Sequence, residues 1–185
     1  MLYSTDDVST ENLKYFKFWD LVKASHPRLE LIAFVIAKDL DLKAFGDWYE
    51  ERKDWVEVGV HCYDHGRPQE GWREDQEDEI KKALEILGPF LKERFLYRPP
   101  GFRFLPKTEL ILKRLGFGGI AHQEFVKYFD TGQRIQIFNT HCTLDQYEKP
   151  IGLIWKSLIT RMEFGNGQYH HRRQRSQRFD ESLSR

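Results

Sequence analysis

Residues 29–37 read Leu29-Glu30-Leu31-Ile32-Ala33-Phe34-Val35-Ile36-Ala37, a nearly continuous apolar run. Its length and β-branched content suit a strand buried on both faces, as a parallel sheet covered by helices requires. The flanking segments fit that reading. Upstream, residues 1–5 form a short strand candidate. Ser9 or Thr10 then caps a helix carrying Leu13, Phe16, Trp19 and Val22 on one side, and His26-Pro27 stops it. Downstream, residues 42–53 read as a second helix, and residues 56–60 as a strand running directly into His61. Residues 74–87 form a long helix with Ile80, Ala83, Leu84 and Leu87 at core spacing, broken at Gly88-Pro89.

The alternation continues. Residues 95–97 make a short strand ending at Arg98. Pro106 opens a helix at a favoured first position and Gly116 closes it. Residues 117–122 and 135–140 read as further strands, and Pro150 opens a last helix with Ile151, Ile154, Trp155, Leu158, Ile159 and Met162 on one stripe. Strand–helix alternation predicts an α/β fold with a mostly parallel sheet. Roughly six strands fit either an open doubly wound sheet or a small, incomplete barrel. In both, active residues gather at the carboxyl ends of the strands.

A chain of 185 residues suits one domain with a real core, and 40% hydrophobic with 31% charged residues is ordinary globular composition. The formal net charge is zero, so no global field favours nucleic acid or a membrane surface. No apolar run reaches the ~18 residues that a membrane span needs. Residues 166–185 hold five arginines against Asp180 and Glu181, with few large apolar side chains, and read as a flexible arginine-rich tail after a domain over residues 1–165. The two cysteines, Cys62 and Cys142, make no disulfide framework, and the expected location is the cytoplasm.

The strand-end rule selects a short list. Asp6 and Asp7 follow the first strand, His61 and His65 follow residues 56–60, Arg98 follows residues 95–97, and His141 ends residues 135–140. Two histidines four apart ligate one ion when the segment makes a helical turn or tight loop. With one carboxylate they form a three-ligand site that leaves positions open for water and substrate. A second carboxylate is then needed to take the water's proton. Asp6 and Asp7 alternate in an extended strand, so they serve one site only if the chain bends there. Arg98 precedes Pro99, Pro100 and Gly101, a stiff loop with one permissive residue, and an arginine there holds Asp6 ionised through a paired hydrogen bond.

In order, these segments resemble the motifs of the polysaccharide deacetylases, carbohydrate esterase family 4. Ser4-Thr5-Asp6-Asp7 is similar to the family's Thr-Phe-Asp-Asp. His61-Cys62-Tyr63-Asp64-His65 is similar to His-Ser/Thr-x-x-His, with cysteine at the hydroxyl position. Arg98-Pro99-Pro100-Gly101-Phe102 is similar to Arg-x-Pro-aromatic-Gly with the last two residues exchanged, and His141 matches the strand-ending histidine of the fifth motif. The fourth motif, an Asp with a Trp close behind, has no counterpart around residues 118–123. The resemblance spans residues 1 to about 160.

The resemblance implies a distorted, incomplete (β/α) barrel with mostly parallel strands. It implies Asp7, His61 and His65 as ligands of one divalent ion, zinc first, with cobalt, nickel or iron also suited to such donors. It makes Asp6 the base, Arg98 its partner, the Gly101 N–H an oxyanion donor and His141 the general acid. The activity implied is hydrolytic removal of an acetyl or formyl group from an amino sugar or glycoconjugate, with metal-bound water as nucleophile. Two alternatives stand beside it. One is a weak or inactive carbohydrate-binding protein that retains the metal site. The other is a related C–N hydrolase acting on a non-sugar amide. Nucleic acid is not an expected partner, and the oligomeric state is left open.

Overall fold

A computed structural model describes residues 2–65 and 75–140, with side chains through residue 137. Trp72, His141, Cys142, the helix expected from Pro150, the boundary at residue 165 and the arginine-rich tail lie outside the described residues.

β1 spans Leu2–Val8 and is followed by a 3-10 segment, Thr10–Phe16, that continues into α1, Lys17–Ser25. β2 is Glu30–Ile36, α2 Leu42–Glu50, β3 Val56–Cys62 and α3 Gln76–Leu87. β4 is Leu96–Tyr97, α4 Pro106–Arg114, β5 Gly119–Ala121, β6 Phe125–Tyr128, β7 Arg134–Gln136 and β8 Phe138–Thr140. Among the described residues, eight strands form one sheet in the order β7-β6-β5-β4-β3-β2-β1-β8. Pairing is parallel from β5 through β1 to β8, and antiparallel for β5–β6 and β6–β7. β2 is central and buried at five consecutive positions, as its unbroken apolar run requires. Local chemistry sets the helix ends: Asp41 Oδ1 accepts from the Lys43 and Ala44 N–H groups at 3.0 Å each and starts α2. Gly116 takes φ 83° after α4, a left-handed position that favours glycine.

Side-chain alternation shows how the sheet curls. On β3, Glu57, Gly59 and His61 share one face, while the buried Val56, Val58 and Val60 share the other. A Cβ on Gly59 would stand 2.6 Å from the Phe34 ring. Phe34 packs with Ile32, Leu96, Ala121, Val126 and Ile137, so β2, β4, β5, β6 and the residue between β7 and β8 meet in one cluster. That cluster is the barrel interior. Only Ile137 separates β7 from β8, and one continuous stretch therefore pairs with β6 by its first part and with β1 by its second. The two sheet edges meet through this stretch. Register shifts in β1 and β2, and strands of two or three residues at β4, β5, β7 and β8, make the result a small, distorted, incomplete barrel with mostly parallel strands. The open doubly wound alternative does not apply.

The expected count of strands was too low. β6 is absent from the sequence reading because its antiparallel return is short and half polar; the Thr131-Gly132 turn, with Gly132 at φ 67°, is the signal that marks it. Residues 135–140 form two strands because Ile137 leaves β6 and turns into the interior. Asp6, Asp7 and His61 lie inside their strands rather than just past them. Among the described residues no helix is long and apolar enough to cross a membrane.

His61 and Glu57 stand at opposite mouths of the interior, with Gly59 between them. A cavity of about 460 Å³ lies at the Glu57 mouth, lined also by Lys92, Arg94 and Tyr128, and it is remote from His61. Burial pushes the Glu57 carboxyl up from its ordinary range, with Lys92 pulling it back.

Two outcomes are expected. Gly59→Ala forces the Phe34 ring to shift in a filled interior and should cost about 1–3 kcal/mol, read as a lower Tm that Phe34→Leu partly restores. For Glu57 the folded-state pKa lies above the unfolded one. Its contribution is therefore neutral at pH values below the ordinary carboxylate range, and stability is lost as pH rises through the folded value. Glu57→Gln should thus raise the Tm at neutral pH, with the gain vanishing in acid; a gain that persists in acid contradicts the assignment.

Candidate metal centre and active site

The site is built where β1 breaks its own alternation. Asp7 has φ 58°, a left-handed conformation unusual for a non-glycine residue, and the β1–β2 register shifts between Thr5 and Val8. Ser4 and Asp6 remain on one face of the strand, while the bend turns Asp7 toward β3. Asn12 holds the bend. It is buried, its Nδ2 donates to the Asp7 carbonyl, and its Oδ1 accepts from the Ser9 N–H at 2.8 Å.

His61 lies near the end of β3 and is 3% exposed. Its Nδ1 stands 2.8 Å from the Arg98 carbonyl oxygen. A carbonyl only accepts, so Nδ1 carries the hydrogen and a neutral His61 presents its lone pair at Nε2. That Nε2 is 3.1 Å from Asp7 Oδ1, and His65 Nε2 is 3.3 Å from the same oxygen. The two imidazole rings stack at 5.1 Å. One donor atom from each of Asp7, His61 and His65 lies within 4.8 Å of the others. An unprotonated Nε2 facing a carboxylate oxygen sets lone pair against lone pair, and a cation between them satisfies both. The donor set, two imidazoles and one carboxylate, fits zinc or a neighbouring divalent metal. His65 and Asp7 are about 40% exposed at their side chains, 42% and 39%, so the cluster opens to solvent on one side.

Arg98 joins this cluster to a second carboxylate. Its side chain has no solvent exposure. Nη1 donates to Asp6 Oδ1, and Nη2 donates to Ser4 Oγ at 2.9 Å and to the His122 carbonyl at 3.3 Å. The guanidinium lies 4.1 Å over the Phe34 ring. Burial pulls the guanidinium pKa down from its ordinary value and the Asp6 carboxylate pulls it back up. The Arg98 N–H donates to the Val60 carbonyl at 2.9 Å, so its peptide is locked to β3 while its side chain reaches β1.

After Arg98 the chain takes two consecutive left-handed residues, Gly101 at φ 61° and Phe102 at φ 58°. Gly101 is exposed at the tip of this turn. β8 ends at Thr140, which pairs with Thr5 beside Asp6; His141 lies outside the described residues. The structure thus brings Asp7, His61 and His65 into one cluster and pairs Asp6 with Arg98. His122 contributes its carbonyl to Arg98, and its ring stacks on Phe125 at 4.2 Å; burial first, then Arg134, lowers its imidazole pKa. Trp48 packs against Phe16 and Phe45 in the core. The sequence reading missed Ser4 and Asn12. Ser4 was within reach, because it shares the face of Asp6, and Asn12 was too, because it stands three residues after the cap candidate Ser9 and closes a capping box with it.

No sequence-family model matches the chain, and no curated protein sequence matches it significantly. Solved structures do. A Streptococcus mutans CE4 esterase superposes with a TM-score of 0.61 at 16% identity, over 90% of this chain and 83% of that one. The Bc1960 peptidoglycan N-acetylglucosamine deacetylase gives 0.53 at 16% identity, over 84% and 82%. A CE4 family pseudoenzyme from Bacillus anthracis also gives 0.53 at 16% identity, over 84% of this chain. This chain spans only 59% of the pseudoenzyme's length. The fold is therefore that of the CE4 polysaccharide deacetylases.

Arg98→Met should leave Asp6 as an uncompensated, largely buried carboxylate and cost about 3–5 kcal/mol, measured by denaturant unfolding. Replacing Asp6 by Leu in the same chain should recover part of that loss. A single variant as stable as the parent would show that the pair is not buried as described.

Proposed function

We propose that this protein is a metal-dependent hydrolase that removes an acetyl or formyl group from an amino sugar or glycoconjugate. One observation carries the reading: a three-donor cluster lies directly beside a second carboxylate that a buried arginine holds apart from it. Asp7, His61 and His65 hold one divalent ion, zinc first among those that suit the donors. Such an ion, when bound, polarises a carbonyl and makes water more acidic.

The chain's own residues supply the rest. Asp6, oriented by Arg98, takes the proton of the attacking water. The Gly101 N–H, on the exposed left-handed turn, donates to the carbonyl oxygen as it gains charge. His141 delivers a proton to the leaving nitrogen. A C–O bond forms, the C–N bond breaks, and the products are a carboxylic acid and a free amine. The reading takes residues 1–165 as the catalytic domain and residues 166–185 as an appended tail.

A second reading has a specific basis. The fold is shared with a structure described as a pseudoenzyme, and the chain lacks a counterpart of the fourth motif. On that reading the metal site serves carbohydrate binding without turnover.

The purified full chain should bind one equivalent of zinc and release free amine from N-acylated amino sugars. His61→Ala and His65→Ala should abolish stoichiometric binding. Asp6→Asn should keep the metal and lose ~10²–10⁴ in rate, because a base acts on the proton and a ligand on the ion. Metal lost in Asp6→Asn and kept in Asp7→Asn reverses the two roles. A metal-loaded chain that binds acylated sugars without releasing amine supports the second reading.

A further inference from the structure

Of the three ligands of the proposed metal centre, His65 is the one that lies outside a strand. Asp7 sits on a bulge tied by Asn12, and His61 lies inside β3 with Nδ1 on the Arg98 carbonyl. His65 instead lies past Cys62, the last residue of β3, and its side chain is 42% exposed.

Lys38, just beyond the end of β2, meets that stretch twice. The Ala37 N–H donates to the Cys62 carbonyl at 3.0 Å, and the Lys38 N–H donates to the Tyr63 carbonyl at 2.8 Å, so the β2–β3 ladder runs on past both strands. The Lys38 ammonium then donates to Asp64 Oδ2 at 2.9 Å. The Asp64 carboxylate is the more sheltered partner, 16% exposed against 43% for the lysine side chain. From the other side, the Lys82 ammonium of α3 lies 5.5 Å over the Tyr63 ring. One residue therefore grips both the backbone and the side chain of the two positions immediately before His65.

We propose that Lys38 and Asp64 are positioning residues for the metal centre: their ion pair fixes the turn through Tyr63 and Asp64 so that His65 Nε2 stands beside Asp7 and His61, and this sets the affinity for the divalent ion. The inference rests on the metal-centre reading above. The physical reason is pre-organisation. An exposed imidazole on a free turn must lose backbone and rotamer freedom when it ligates, and that loss is subtracted from affinity; a turn already held loses little on binding. Neither residue needs to touch the ion. A partly exposed lysine–carboxylate pair adds little to global stability, so positioning predicts weaker ion binding at nearly unchanged metal-free Tm, whereas a general structural role lowers that Tm as well.

The test uses the full chain and zinc chloride, with affinity read by calorimetry and Tm read on metal-free protein. Lys38→Met and Asp64→Asn should each weaken zinc binding about 10–100-fold with stoichiometry retained. The metal-free Tm should stay within about 2 °C of the parent. Lys38→Arg, which keeps the charge and the reach, should restore most of the affinity. Equal affinity across all these variants overturns the proposal while leaving the metal centre standing, provided that His65→Ala still loses zinc. Weaker binding accompanied by a large fall in metal-free Tm, with no rescue by Lys38→Arg, also overturns it in favour of a structural role. A parent chain that binds no zinc overturns the metal-centre reading and this inference together.

Discussion

A guanidinium with no exposure to solvent has to be paired wherever the fold puts it, and Arg98 is that group here. Its side chain donates hydrogen bonds to Asp6 and Ser4 on β1 and to the carbonyl of His122 just beyond β5. Its peptide donates to β3 through Val60 and accepts from β3 through His61. One residue thus ties together the carboxyl ends of four strands. It also sets two chemical states at once. The side chain holds a carboxylate, and the backbone carbonyl decides which nitrogen of His61 carries a hydrogen. The lone pair of His61 faces Asp7 because of what Arg98 does on the other side of the ring.

The second constraint is the bend at Asp7. Two adjacent acids in a flat strand point to opposite faces and cannot serve one site. The left-handed φ of Asp7 removes that obstacle, at a conformational cost that the Asn12 side chain offsets through the Asp7 carbonyl. The consequence is a division of labour between neighbours: Asp6 stays with the interior face and its arginine, while Asp7 joins the histidines.

The barrel interior explains why these groups meet at one end. Phe34 fills the middle of the barrel, which forces a glycine at position 59, and His61 and Glu57 are left at the two mouths of the same strand face. The polar groups of the site therefore sit on an apolar floor. The Arg98 guanidinium over the Phe34 ring is the point of contact between that floor and the chemistry.

Much of this could be read from the sequence. The apolar run at residues 29–37 and the strand–helix alternation determined an α/β fold with a mostly parallel sheet, because burial on both faces leaves an unbroken hydrophobic pattern. The strand-end rule and the ordered motifs selected Asp6, Asp7, His61, His65 and Arg98, because strand carboxyl ends converge whatever their separation along the chain. Tertiary structure alone decided the rest. Whether the sheet stays open or curls depends on how Ile32, Phe34, Leu96, Ala121, Val126 and Ile137 pack, and that is a contact among distant strands that no local periodicity encodes. The short strand β6 pairs antiparallel with β5, and its four residues are too few to show a period. The Lys38–Asp64 pair was invisible for the same reason: its members lie on different turns and meet only through the fold. A polar side chain in a turn has the same sequence signature whether it meets a distant partner or merely faces water.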